Sequence, residues 1–183
     1  EGKGRIVDLL AEQADVVVRY QGGSNAGHTV VTDGGRYVFN LLPSGILHPK
    51  VVCVLGDGMV VDLEHLRHEL SMMEYFHVKV SPENLKLSAR ATICMPFHVR
   101  QDVLEEERLS RSGNAFGSTR RGIAYAYGDK YMKKTLRLGD LLYLNEPSVR
   151  QRLRMILDSK NEIMTKLYGE SPLSEEECIQ WCA

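Results

Sequence analysis

The residues best suited to chemistry lie between Arg19 and Val31, in the run Gln21-Gly22-Gly23-Ser24-Asn25-Ala26-Gly27-His28-Thr29. Asn25, His28 and Thr29 place an amide, an imidazole and a hydroxyl within five residues. Gly22, Gly23 and Gly27 free the backbone to take positive φ or to approach a ligand closely. A β-branched block, Val16-Val17-Val18, stands before the loop and Val30-Val31 follows it. Strands on both sides would fix what the loop presents, which favours a ligand site. A hairpin-like connection with a satisfied histidine explains the same spacing, and spacing alone leaves both readings open. Two further groupings carry anion-binding residue types. Glu1-Gly2-Lys3-Gly4-Arg5 opens a short helix, whose N–H groups with Lys3 and Arg5 beside them suit an anion, although no full Walker A can be read. Ser118-Thr119 followed by Arg120-Arg121 sets two hydroxyls beside two cations, a pattern that fits a second phosphate and equally an ordinary surface loop.

Metal-ligand spacing is weak. His65 and His68 lie three apart on a predicted helix with no third ligand evident, so a solvated face is the better reading. Cys178 and Cys182 share a helix face but lack nearby histidines, which favours apolar packing.

The elements that must position these groups alternate between helix and strand. Apolar residues predict a helix over 4–13 and a strand over 14–20, the valine block reading as a buried strand. Residues 28–32 and 36–42 flank Asp33-Gly34-Gly35, the pattern of a β-hairpin. Residues 51–55 form a continuous apolar run that Gly56-Asp57-Gly58 is expected to break before Met59-Val60-Val61. Asp62 is placed to cap a helix reaching Phe76. Strands are expected at 84–89 and 92–95, and a helix at 97–109 whose Glu105-Glu106-Glu107 run reads as a solvated face. A helix-like stretch follows Gly122. From Arg137 the pattern is helical, with a basic run after Pro147 whose Arg150, Arg152 and Arg154 read as an outer face, and Ser174 opens a last helix. The fold class is α/β, a mixed but mainly parallel sheet flanked by helices.

With 183 residues, 43% hydrophobic and 26% charged, the chain is long enough for a cored domain. A net charge of -1 gives no bulk field for nucleic acid or an anionic membrane, so any phosphate must be held locally. No apolar run approaches the roughly 20 residues that span a bilayer. Four cysteines without CxxC pairing suggest neither a disulfide framework nor a zinc ribbon, and a reducing cytoplasm fits.

Taken together, Glu1-Gly2-Lys3-Gly4-Arg5-Ile6-Val7-Asp8, the Gln21–Thr29 loop, Leu42-Pro43-Ser44-Gly45-Ile46-Leu47, Gly56-Asp57-Gly58-Met59-Val60-Val61, and Gly117-Ser118-Thr119 with Gly122-Ile123 resemble, in order, the adenylosuccinate synthetase family. The resemblance implies a P-loop-like GTP-binding architecture, of which residues 1–183 would be an amino-terminal portion of a larger single domain. It would lack the first strand, an acidic residue before Glu1, and the carboxy-terminal half that reads guanine and aspartate. It implies ligation of IMP to L-aspartate with GTP as co-substrate, through a phosphorylated IMP, in the route to AMP. Mg²⁺ would be the cofactor and a homodimer the assembly. The implied catalytic residues are His28 and Lys3. GTP would meet Glu1, Gly2, Lys3, Gly4, Arg5, Gly27, His28 and Thr29. IMP would meet Glu1, Gly2, Lys3, Asn25, Ala26, Gly27 and His28, with Thr119 at its phosphate end and Lys133 reaching across the dimer. The Gly27 carbonyl would ligate the metal. Arg5, Ser118, Ala124-Tyr125 and Lys133 depart from the family's usual lysine, threonine, Gly-Pro and arginine. Two alternatives stand beside this reading: a non-catalytic GTP- and IMP-binding fragment or homologue, and a P-loop nucleotidase that hydrolyses GTP without IMP. The 183 residues alone are expected not to make adenylosuccinate.

Overall fold

The computed structural model describes residues 3–32 and 35–183, with side chains from Ile6 onward, Thr32 excepted. Two compact units follow one another in the chain, Glu1–Ala91 and Thr92–Ala183. The first holds α1 (Lys3–Ala11), β1 (Val16–Gly22), β2 (His28–Thr32), β3 (Gly35–Phe39), a 3₁₀ turn (Ser44–Leu47), β4 (Val52–Val61), α2 (Leu63–Tyr75) and β5 (Leu85–Leu87). Strands β1, β4 and β5 run parallel in that order, and β2 and β3 form a separate antiparallel pair. The main sheet is therefore parallel, as the helix–strand alternation requires, and the antiparallel pair stands apart from it. Residues 33 and 34 of the expected hairpin turn lie outside the described residues.

Two strand expectations need correction. Gly56-Asp57-Gly58 does not break the chain, because β4 runs unbroken through it. The glycines instead allow a bulge: Arg19 pairs with Leu55 but Gln21 with Gly58, so β4 carries one residue more than β1 over the same span. A Cβ on Gly58 would overlap the Tyr20 carbonyl oxygen. Backbone approaches that closely only where a side chain is absent. The Val16-Val17-Val18 block is not a fully buried strand either. Among the described residues β1 ends the strand order, and Val16 and Val18 are 52% and 53% exposed. Ile6, Leu9 and Leu10 of α1 are likewise exposed. The core of this unit lies instead beneath β3, β4 and α2, where Phe39, Leu41, Leu42, Cys53, Leu55, Met59 and Met73 are buried.

Helix α2 starts where the sequence places it. The Asp62 carboxylate accepts from the His65 N–H at 3.1 Å, satisfying a donor that the first turn leaves unpaired.

The second unit contains β6 (Thr92–Ile93), α3 (Pro96–Arg111), α4 (Ile123–Tyr131), a 3₁₀ turn (Leu138–Tyr143), α5 (Pro147–Glu162) running into one π turn (Ile163–Leu167), and α6 (Glu175–Cys182). The strands expected at 84–89 and 92–95 are shorter than the pattern suggests. Pro96 and Pro147 occupy the first turns of α3 and α5, where a missing N–H costs nothing. Ser174 caps α6 by accepting from the Glu177 N–H. Phe97, Leu153, Ile156 and Met164 fill the core, and Cys94, Cys178 and Cys182 are buried with them. Burial pushes the Cys178 thiol up to about 11 and the Cys182 thiol up to about 12, which makes both inert packing groups. The basic face of α5 is paired: Arg150 meets Glu175 and Glu176, and Arg152 meets Asp140.

Candidate functional site

In the first unit, β1 delivers the chain to Gly22, whose φ of +94° turns it into the polar loop, and β2 receives it at His28. The loop is braced from within. The Arg19 guanidinium donates to the Gly23 carbonyl at 2.9 Å and to the Asn40 carbonyl, linking the loop to the segment after β3. Asn40 also limits the loop from the other side, since a Cβ on Gly27 would come 2.9 Å from Asn40 Nδ2. Only glycine lets the chain pass there without displacing the amide.

Asn40 is held in turn by a residue the sequence reading did not single out. Glu69 on α2 is 1% exposed, and its carboxylate accepts from the N–H groups of Asn40 (2.6 Å), Leu41 (2.9 Å) and Leu42 (2.8 Å). His65 Nε2 lies 3.1 Å from both Glu69 Oε1 and Asn40 Oδ1, so one N–H serves two acceptors. His65 is thus a bracing group and not part of a solvated face. A signal was available: Leu66, Glu69 and Met73 recur at helical spacing, which sets an acidic residue inside the apolar stripe of α2.

His28 is half-buried, its ring 5.5 Å from that of Phe39. Burial, and then the charge of Arg19, hold its pKa below the ordinary histidine value, so the imidazole is neutral at pH 7. It lines a cavity of about 260 Å³ together with Arg19, Ala26, Val17, Pro43 and Ser44. Ser24 and Ser44 are each 1% exposed, and neither hydroxyl has a hydrogen-bond partner among the described residues. A buried hydroxyl left so costs about 1–3 kcal/mol, and Ser44, which lines the cavity, makes its wall receptive to a polar ligand or water.

The structure brings His28 and Ala26 to the cavity and keeps Asn25, Gly27 and Thr29 exposed on the same loop. Lys3 and Gly4 open α1, which packs beside β2. The side chains of Lys3 and Arg5, and residues Glu1 and Gly2 altogether, lie outside what is described. Among the described residues no cluster of three His, Cys, Asp or Glu side chains could hold a metal ion.

In the second unit, two carboxylates one helical turn apart on α3 shape the loop after it. Asp102 accepts from the Ser118 hydroxyl at 2.6 Å and from the Gly122 N–H at 2.9 Å. Glu106 accepts from the N–H groups of Phe116 (3.2 Å) and Gly117 (2.7 Å). Both carboxylates are 6% exposed. The Glu105-Glu106-Glu107 run is therefore not one solvated face. Only Glu107 is fully outside, while Glu105 pairs with Arg108 and accepts from Tyr168. The expected pair of phosphate-facing hydroxyls also separates. The Ser118 proton is committed to Asp102 and its oxygen accepts from the Arg120 N–H, whereas Thr119 is exposed. Lys133 is exposed just past α4, at φ +60°.

Beneath this loop, His98, Asp129 and Lys160 form a buried polar group. The Met95 N–H donates to His98 Nδ1 at 2.9 Å, so the ring's own proton sits on Nε2 and points at Asp129 Oδ2, also 2.9 Å away. Lys160 Nζ reaches the same oxygen at 2.8 Å and Gln101 Oε1 at 3.0 Å. Burial alone would raise the Asp129 carboxyl, but its bonds to His98 and Lys160 hold it below the usual carboxylate value.

A mainly parallel sheet flanked by helices, with glycine loops braced by distant side chains, defines an α/β protein. The chain belongs to the adenylosuccinate synthetase family, whose family model matches residues 1–183. Curated relatives include the adenylosuccinate synthetases of Dehalococcoides mccartyi, strain BAV1, at 42% identity over 99% of this chain, and of Heliobacterium modesticaldum, at 47% over 92%. The solved structure of fully ligated adenylosuccinate synthetase from Plasmodium falciparum superposes with a TM-score of 0.83 at 30% identity, over 99% of this chain. The chain spans 42% of the length of the first of these relatives and 40% of the solved chain.

Proposed function

We propose that the complete protein containing this chain joins IMP to L-aspartate at the expense of GTP, yielding adenylosuccinate, GDP and phosphate. The observation that carries the reading is the match of the family model along all 183 residues. The structure adds a neutral His28 in a cavity wall directly after Gly27. IMP carries a poor leaving oxygen at C6, and phosphorylation from GTP turns it into one that the aspartate amine displaces. Catalysis of phosphoryl transfer rests on positioning and charge neutralisation. Lys3 and the first N–H groups of α1 supply positive potential for the transferred phosphoryl group. His28, beside the Phe39 ring and kept neutral, offers its ring N–H to that group as a hydrogen-bond donor. Gly27 and Thr29 would meet GTP, with Glu1, Gly2, Lys3, Gly4, Arg5 and His28. Asn25 and Ala26 face the purine side, Thr119 its phosphate, and Lys133 reaches the IMP of the partner subunit in a homodimer.

By the family resemblance the carbonyl of the exposed Gly27 would ligate Mg²⁺, and among the described residues no cluster of three His, Cys, Asp or Glu side chains could hold it. That donor set fits an ion carried mainly by nucleotide phosphates, not one caged by protein. When bound, the ion neutralises developing phosphate charge. Among the described residues no helix is long and apolar enough to cross a membrane, and a cytoplasmic location accords with the buried reduced thiols.

Steady phosphate release by the complete protein tests the reading. Release that requires both IMP and aspartate is expected. Release without either would identify a nucleotidase, and no release under any combination would identify a binder.

A further inference from the structure

Three helices of the second unit meet at a buried polar group that no step of the proposed reaction uses. His98 and Gln101 come from α3, Asp129 from α4 and Lys160 from α5, and His98, Asp129 and Lys160 are at most 5% exposed. Every bond in the group assumes one protonation state. His98 Nδ1 accepts from the Met95 N–H at 2.9 Å, its Nε2–H donates to Asp129 Oδ2 at 2.9 Å, and Lys160 donates to that same oxygen and to Gln101. A second ring proton has only Nδ1 to occupy, and there it would face the Met95 N–H, donor against donor. One of the two must move. The ring is held by Asp129, and an imidazolium strengthens that hold, because a hydrogen bond between two ions outweighs one with a neutral partner. Met95 is therefore the side that gives. It caps α3, follows β6 and Cys94 directly, and touches the Cys182 thiol of α6 with its thioether at 3.8 Å.

We propose that His98 is a proton-operated latch at the junction of β6 and α3: its second proton releases Met95 and opens this junction to solvent while the rest of the fold stays closed. Of the charged groups facing the ring, Asp129 favours the proton and Lys160 opposes it. Asp102, one turn further along α3, is committed to Ser118 and Gly122. Burial opposes the proton more strongly than Asp129 favours it, so the closed ring protonates below the ordinary histidine value of 6.5. In the open junction the same ring meets water and takes its proton near that ordinary value. The proton thus binds the open form more tightly than the closed one, which is the condition for a ligand to shift an equilibrium.

The test is thiol labelling of the complete protein from pH 7 to pH 5 with a dipyridyl disulfide, a reagent that still attacks thiols in weak acid. Labelled cysteines are identified by mass spectrometry, and each rate is divided by that of a small thiol at the same pH. Cys94, next to Met95 and 1% exposed, reports on the junction, and Cys53, fully buried in β4, reports on the rest of the fold. The Cys94 rate is expected to rise as the pH falls below about 6.5, by up to about tenfold per pH unit, because each opening takes up one proton. Cys53 should stay unlabelled and the far-UV circular dichroism should keep its helical signal. His98→Asn offers Met95 an acceptor that does not titrate, so its Cys94 rate should not depend on pH. His98→Gln, which does not titrate either, carries the comparison if the asparagine variant fails to fold, and the two rates of the parent decide even without a variant. Labelling of Cys53 in step with Cys94, or loss of the helical signal, would show unfolding at large and overturn the latch. A parent Cys94 rate that is flat over this range would overturn it as well, and so would a slope that survives the loss of the histidine.

Discussion

Among single residues, His28 carries the most direct chemical expectation. Its ring is fixed by Phe39, kept neutral by burial and Arg19, and set in the wall of the cavity. Replacing it with alanine in the complete protein is expected to leave nucleotide affinity nearly intact and to slow turnover by roughly 10², the usual worth of a positioned proton or hydrogen-bond donor. Turnover within a few-fold of the parent would remove His28 from the chemistry. Lys133 belongs to the same scale but to a different step. It is an exposed cation on a left-handed residue past α4, its own N–H donating back to the Lys130 carbonyl of that helix. Lys133→Ala should raise the KM for IMP by removing a phosphate-directed charge, and Lys133→Arg should restore it with a bidentate fork. A KM that responds to neither change would assign Lys133 to the solvated surface.

The elements impose their own constraints, and the β1–β4 pair is the tightest. The bulge lies in β4 just before Gly58, which pairs with Gln21 where β1 runs on to Gly22 and the polar loop. Gly58→Ala sets a methyl carbon where the Tyr20 carbonyl oxygen lies, and that oxygen cannot move without disturbing the pairing register. A loss of about 1–3 kcal/mol, typical of overpacking, is expected as a lower urea midpoint. Gly128→Ala offers a control at an ordinary φ without steric approach, since its added Cβ meets nothing nearer than the Met132 side chain at 4.0 Å. Equal losses for the two variants would mean that steric approach at the bulge contributes nothing. Helix α2 works differently, through one carboxylate: Glu69 takes three consecutive backbone donors and so fixes Asn40, against which Gly27 rests. Apolar burial supplies the energy of this helix, while Glu69 supplies its register against the loop.

Across the whole molecule, buried histidines set the response to acid. Burial lowers the pKa of His98 below its ordinary 6.5, with Asp129 offsetting part of the shift, and His28 is lowered too. A group lowered in the folded state takes up its proton more readily when unfolded. Its contribution to stability is thus complete above about pH 6.5 and is lost as the pH falls below that value. Asp129 is lowered from 3.8, so its contribution persists until the pH approaches that ordinary value and is lost only in stronger acid. Thermal denaturation should therefore show a falling Tm from pH 7 toward pH 5, before the carboxylates titrate. His98→Gln should flatten that slope while lowering Tm overall, because it removes the titration and one bond to Asp129. A slope unchanged in the variant would place the acid sensitivity elsewhere.

The sequence by itself determined the class of fold, because apolar periodicity, the Asp62 and Ser174 caps and the prolines at helix starts are local signals. It also determined the family, since ordered glycine motifs survive in the one-dimensional text, and it marked the loop from Gln21 to Thr29. Only the tertiary structure decided which polar residues brace those loops. Arg19, Asn40, Glu69, Asp102 and Glu106 read as ordinary surface types, and what distinguishes them is a partner far away in the chain. It decided as well that Gly56-Asp57-Gly58 passes through a strand, that Glu106 turns inward from an acidic run, and that Ser118 and Thr119 part company. Each of these outcomes depends on which atoms a fold brings within about 3 Å, a distance that hydrogen bonds read and sequence spacing does not.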